Sequence, residues 1–209
     1  AEAAGCRALV VTVDAPVSGL RNAEQRVGFR LPPGVEAANL PPGRARGPAW
    51  GGHPIFDGLL AGAATWREID RLKKITRLPL VLKGVLSPDD ARQALDCGVD
   101  GLIVSNHGGR TLDTLEASLD ALPRIADVVG GAAPLLLDGG VRRGTDVLKA
   151  LALGARAVLI GRAYAFALAA AGPIGVAHAV KVLVDEFCVA MALTGCRTVA
   201  DIGPWVLRR

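Results

Sequence analysis

Short apolar runs recur along this chain, and each closes on a polar or glycine-rich cluster. Residues 7–14, Arg-Ala-Leu-Val-Val-Thr-Val-Asp, are β-branched and apolar, the composition of a buried strand. Runs of the same kind follow at 78–82, 101–104, 134–137 and 157–160. Helical stretches lie between them. Thr65 with Glu68 forms a capping box that opens a helix to about Thr76. Ser87-Pro88-Asp89-Asp90 opens another, which ends near Cys97-Gly98. Residues 114–129 read as a helix stopped by Gly130-Gly131, and 144–153 as one closed by Gly154. After Gly161-Arg162 come two helices, broken at Gly172-Pro173, the second reaching about Leu193. The first residues, Ala1 to Gly5, read as the last turn of a helix, so further sequence is expected upstream.

Wholly apolar strands alternating with helices, without hairpin turn signals, predict an α/β fold with a parallel sheet covered by helices. In such a sheet the residues at the C-terminal strand ends converge on one face. Here those residues are Thr12 and Asp14, Lys83, Ser105 and His107, Asp138, then Gly161 and Arg162. That convergence predicts the mouth of a (β/α)₈ TIM barrel. A doubly wound open sheet is the second reading, weakened because no Gly-x-Gly-x-x-Gly follows the first strand. Residues 22–62 differ from the rest. They hold Pro32-Pro33-Gly34, Pro41-Pro42-Gly43 and Gly51-Gly52, with little apolar periodicity, and read as one long active-site loop, mobile in part. His53 lies in it as an ordinary loop histidine.

Composition narrows the function. With 209 residues, 51% of them hydrophobic, the chain suits one domain with a substantial core. Aromatic residues make up only 4%, and the basic residues behind the net charge of +4 are dispersed, which argues against nucleic acid or an anionic membrane as partner. The cysteines, Cys6, Cys97, Cys188 and Cys196, form no metal-binding or disulfide pattern, so no metal is expected and a reducing cytoplasm fits. The apolar run 163–171 is short and Pro173 stops it, so no membrane span is expected.

The strand ends carry the candidate chemistry. Ser105-Asn106-His107-Gly108-Gly109-Arg110 places an imidazole and a guanidinium at one strand-to-loop junction. His107 is a candidate base and Arg110 a candidate carboxylate clamp, against the plain alternative of a loop histidine and a solvated arginine. Asp14 can orient His107 or cap the turn before Pro16. Lys83, ending an apolar strand, can form a Schiff base, balance a buried acid or stabilise an anion on a cofactor. Arg21 follows the first strand, on the same face as Arg110. Asp138-Gly139-Gly140-Val141-Arg142-Arg143-Gly144 leads straight into a helix, and Gly161-Arg162 repeats the pattern. Glycine-turn amides with a positive helix end make an anion site, and two of them, each with an arginine, point to phosphate.

Together, Thr12-Val13-Asp14-Ala15-Pro16…Gly19-Leu20-Arg21, Leu82-Lys83-Gly84-Val85, the Ser105–Arg110 run, Asp138 to Arg142 and Ile160-Gly161-Arg162 resemble the FMN-dependent α-hydroxy acid oxidase/dehydrogenase family, in its order and with similar spacings. The resemblance implies a (β/α)₈ barrel with FMN at its mouth. It implies oxidation of a small L-2-hydroxy acid to the 2-oxo acid, with oxygen or another electron acceptor. By this likeness His107 is the base near the substrate α-carbon, paired to Asp14, and Arg21 and Arg110 bind the carboxylate. Lys83 would sit by flavin N1 and the C2 carbonyl, stabilising the anionic reduced ring. Thr12 and Ser105 would touch the ring. Asp138, Gly139, Gly140, Val141 and Arg142, with Gly161 and Arg162, would hold the phosphate end. The family's barrel has eight strands, and the chain supplies what look like the last five. Residues 1–209 are therefore expected to be the C-terminal part of one FMN-binding domain, a homo-oligomer when full length. Two alternatives are an inactive fragment that needs its N-terminal part and an FMN-barrel isomerase.

Overall fold

The computed structural model describes residues 1–36, 38, 53, 55–56 and 60–207. Five strands form one sheet, in the order β1 (Leu9–Thr12), β2 (Leu80–Val85), β3 (Gly101–Val104), β4 (Leu135–Leu137) and β5 (Ala157–Val158). Sheet order equals chain order, and every neighbouring pair is parallel. The helices are α1 (Asn22–Arg26), α2 (Trp66–Ile75), α3 (Pro88–Asp96), α4 (Ser118–Val129), α5 (Gly144–Ala152) and α6 (Arg162–Leu193). The alternation expected from the apolar pattern is thus present. Most of the long loop expected at 22–62 lies outside the described residues; its described start holds α1.

The core forms where the sheet meets its helices. Leu80, Leu82, Leu102 and Leu137 of the central strands are buried together with Leu122 and Ile125 of α4. β3 is buried along its whole length, as expected of a central parallel strand covered on both faces. β1 forms one edge, and its Val10 is 54% exposed. The caps follow the sequence signals. Glu68 accepts from the Thr65 backbone N–H (3.0 Å) and from the Thr65 hydroxyl, contacts that hold its carboxyl down to about 2. The Ser87 hydroxyl accepts from Asp89 N (3.2 Å) and Asp90 N (3.4 Å).

Three boundaries differ from expectation, each for a local reason. β2 continues past Lys83-Gly84 to Val85, because the register shifts there in a bulge and Gly84 adopts φ 108°. α4 begins at Ser118 rather than Thr114. Thr114 is left-handed (φ 69°), and the Glu116 carbonyl is held by Asn106 Nδ2 at 3.1 Å, outside any helical turn. β5 has two residues, since beyond Leu159 the chain turns into α6. Residues Arg162–Leu193 (α6) form two helical segments that meet at the expected break: Ala171 (φ −148°, ψ 22°) and Gly172 (φ 61°, ψ −149°) leave the helical range, and Pro173 opens the second segment. Taken together, the two segments are long and apolar enough to cross a membrane by length and composition alone, with a mean hydropathy of 1.7 over the best window. Phe166, Ile174 and Leu193 on it are exposed among the described residues.

α5 and α6 pack closely. A Cβ on Gly144 would strike the Phe187 backbone N, so only glycine fits at that crossing. Glu186 of α6 accepts from Gly144 N (2.9 Å) and from Arg143 Nη2 (2.9 Å). These contacts, the Arg143 hydrogen bond first, lower the Glu186 carboxyl below its ordinary value of 4.5. A carboxyl lowered in the folded state stabilises above its unfolded value and loses that contribution as pH falls through the folded one. Glu186→Gln should therefore reduce stability at pH 7, and the difference from wild type should vanish well below pH 4.5. Denaturant midpoints at pH 7 and at low pH check this; an equal difference at both would remove the ion pair from the account.

Candidate active site

The C-terminal ends of the five strands place the functional groups on one face. Asp14 follows β1 and His107 follows β3, with β2 between them. Their side chains meet across that strand: His107 Nδ1 lies 3.1 Å from Asp14 Oδ1. Asp14 is 12% exposed and His107 36%. A carboxylate accepts only, so the contact calls for a proton on Nδ1, which in the neutral imidazole leaves Nε2 with its lone pair. The second Asp14 oxygen is buried without a hydrogen-bond partner among the described residues. Gly84 makes this meeting possible. A Cβ there would come within 2.5 Å of the Asp14 Cβ and Cγ.

Lys83, one residue earlier, pairs with Asp138 after β4, Nζ to Oδ2 2.9 Å, both part-buried. Of the roles open to Lys83 in the sequence, balancing a buried acid is the one the structure displays. Its ammonium also donates to Ser105 Oγ (3.0 Å), which accepts in turn from His107 N (3.0 Å). Ser105 is fully buried and supports both neighbours. Asp138 Oδ1 is buried and unpartnered among the described residues. Thr12 pairs in register with Lys83, but its side chain is exposed and does not line the cavity described next.

A cavity of about 920 Å³ opens over these residues. Lys83, His107 and Arg110 line it, as do Asp138 to Arg142 and Gly161 and Arg162. The expectation that the positive end of α5 serves an anion needs correction. Asp146 accepts from Arg142 N and Arg143 N (3.0 Å each), and Glu186 takes Gly144 N, so the chain's own carboxylates occupy that end. What is left to a ligand is the N–H groups of Gly139, Gly140 and Val141, which have no partner among the described residues. The Arg142 guanidinium is likewise unpaired there. The first turn of α6, at Arg162, adds further N–H groups without intrahelical partners. Gly139 and Gly140 are both left-handed, and a Cβ on Gly139 would press on Ser118 Oγ and Asn106 Oδ1 (3.0 and 3.1 Å). A cavity of this size with convergent amides, guanidiniums and an unsatisfied buried carboxylate oxygen fits a phosphate-bearing cofactor such as FMN.

Arg21 and Arg110 are brought together by Gly19, whose missing Cβ would strike the carbonyls of Arg110 and Thr111. Between the two guanidiniums lies Glu24, on α1, 3.4 Å from Arg21 Nη1 and 3.9 Å from Arg110 Nη2. Glu24 stands outside every motif in the sequence. The only signal was its i,i+3 spacing from Arg21, in a helix too short to show periodicity. His53 Nδ1 accepts from the Ile55 and Phe56 backbone N–H groups (3.2 and 3.5 Å), a local turn.

The sequence model of the FMN-dependent dehydrogenase family matches residues 1–209. The chain belongs to the FMN-dependent dehydrogenase family. Its cofactor is accordingly FMN. The chain is 49% identical to an L-lactate oxidase of Nostoc sp., over 97% of this chain and 57% of that protein. It is 45% identical to a 2-hydroxyacid oxidase of Dictyostelium discoideum, over 97% and 52%. Among solved structures, a mandelate oxidase with (S)-2-phenylpropionate superposes with a TM-score of 0.81 at 45% identity, covering 95% of this chain and 54% of that one. The five-stranded sheet is thus part of a TIM barrel, and the chain spans about half the length of the relatives it matches.

Gly84 tests this geometry. Gly84→Ala should destabilise by at least about 2 kcal/mol, from overpacking against Asp14 added to a left-handed φ. Gly130→Ala, also left-handed but with nothing within 4 Å of its would-be Cβ, should cost about 1 kcal/mol. Equal losses in chemical denaturation would mean that Asp14 is not seated against β2.

Proposed function

We propose that this chain carries the proton-transfer and carboxylate-binding half of an FMN enzyme that oxidises a small 2-hydroxy acid to the 2-oxo acid. The observation that carries the reading is one cavity lined by both His107, held at Nδ1 by Asp14, and Arg110. FMN, when bound, supplies the acceptor for two electrons. The chain's own residues do the rest. Arg110 and Arg21 grip the substrate carboxylate, displacing Glu24 from between them. His107 Nε2 takes the proton released as the hydroxy acid is oxidised, and Asp14 stabilises the imidazolium that results. Lys83, fixed by Asp138 and Ser105, presents positive charge to the flavin pyrimidine end. Gly139 to Arg142 and the start of α6 hold the phosphate.

Relatives named L-lactate oxidase and 2-hydroxyacid oxidase, and neighbours named mandelate oxidase, support the substrate class and oxygen as acceptor. They do not select one acid. An isomerase would keep the phosphate cradle but has no use for two convergent arginines. We further propose that chain outside this span completes the barrel, covering the β1 edge at Val10 and the apolar side of α6.

In the intact FMN-loaded protein, His107→Ala should lower turnover at least about a hundredfold, the scale of a lost general base, while FMN stays bound. Arg110→Lys keeps the charge but loses the planar fork and should raise the Michaelis constant, as should Arg21→Met. Steady-state kinetics decide. A loss under tenfold for His107→Ala removes it as the base, and normal Michaelis constants in both arginine variants remove the clamp.

A further inference from the structure

The turn that carries the candidate base is strained. His107 has φ 56° and Gly108 φ 64°, and His107 is one of only two non-glycine residues with positive φ among the described residues. Such a backbone persists only where its surroundings hold it. Three of the bonds holding it are local to the loop. Ser105 Oγ accepts from His107 N (3.0 Å), Asn106 Oδ1 from Gly108 N (3.0 Å), and Asn106 O from Gly109 N (3.0 Å). One backbone anchor is distant in sequence. Arg162, the first residue of α6 and 54 residues away, donates from Nη2 to the Gly108 carbonyl at 2.7 Å. No other group reaches that carbonyl among the described residues.

We propose that Arg162 is a positioning residue for His107, tying the phosphate cradle to the turn that aims the imidazole. The proposal rests on the reading of the cradle as the FMN phosphate site. A guanidinium offers five N–H donors in a fixed plane, and the Gly108 carbonyl engages one nitrogen. The remaining donors belong to a residue that lines the same cavity as the free Gly139, Gly140 and Val141 amides and the unpaired Arg142. An anion there is held without releasing Gly108. Phosphate occupancy then restrains the guanidinium, and the guanidinium restrains the peptide immediately after His107. Arg110 leaves the same turn, so the carboxylate clamp is steadied with the base. A lysine at 162 keeps a positive charge for phosphate, but a single ammonium on a flexible stem cannot fix the carbonyl and the anion in one plane.

The test separates positioning from phosphate binding. Wild type, Arg162→Lys and Arg142→Lys are compared first without flavin, by the imidazole ¹⁵N resonances of His107. Arg162→Lys should shift or broaden the His107 resonances, and Arg142→Lys, whose side chain makes no hydrogen bond to that loop among the described residues, should leave them in place. Each is then titrated with FMN by absorbance, and turnover is measured at full occupancy. Arg162→Lys should remain about 10- to 100-fold slower than wild type, the scale of a displaced catalytic group. Unmoved His107 resonances with wild-type turnover at saturation would overturn the proposal, as would equal shifts in both variants. Unchanged FMN affinity in both variants would instead refute the phosphate reading, and the flavin-free resonances would still judge the positioning claim.

Discussion

An imidazole held at Nδ1 by a buried carboxylate needs its two partners delivered from different parts of the chain. Here they come from strands that are not neighbours, Asp14 after β1 and His107 after β3, over the end of β2. That places a steric demand on β2, where Gly84 has to lack a side chain and turn left-handed. The all-parallel sheet also ends the neighbouring strands on that face, which brings Lys83 of β2 and Asp138 after β4 to the same side as Asp14 and His107. The continuous Leu-rich strand cores supply that sheet, and their register sets Lys83 beside both Thr12 and Ile103.

The electrostatics follow from how the chain spends its carboxylates. Asp138 takes Lys83, Glu24 lies between Arg21 and Arg110, and Asp146 and Glu186 take the N-terminal amides of α5. Buried or crowded charge is stabilised in each case by a partner in hydrogen-bond range or near it. What stays unsatisfied is as informative. Gly139 to Val141, Arg142 and one oxygen each of Asp14 and Asp138 lack partners among the described residues, and all but Asp14 line the cavity. Positive charge and free amides gather there, with Asp138 the one carboxylate among them, its Oδ2 paired to Lys83, an arrangement suited to an anionic ligand.

Much of this was legible beforehand because it depends on local patterns. Apolar runs marked the strands, Thr65-Glu68 and Ser87-Pro88 marked helix starts, and the polar residues at strand ends named the site. What escaped depends on contacts between distant segments. The buried Ser105 hydroxyl accepts from Lys83 Nζ and from His107 N, contacts that no motif displays. The glycine turn before α5 implies free amides, but Asp146 and the distant Glu186 accept from them. Glu24 was invisible because a five-residue helix carries no periodicity.

We propose that Asp14 holds the Nδ1 proton of His107 and leaves Nε2 to act as the base. The ¹⁵N shifts of the imidazoles, at a pH where they are neutral, test it most directly, and with three histidines in the chain the signals can be assigned by substitution. The account predicts a protonated Nδ1 and a bare Nε2 at His107, with that preference lost in Asp14→Asn. A protonated Nε2, or a tautomer unaffected by Asp14→Asn, would contradict it.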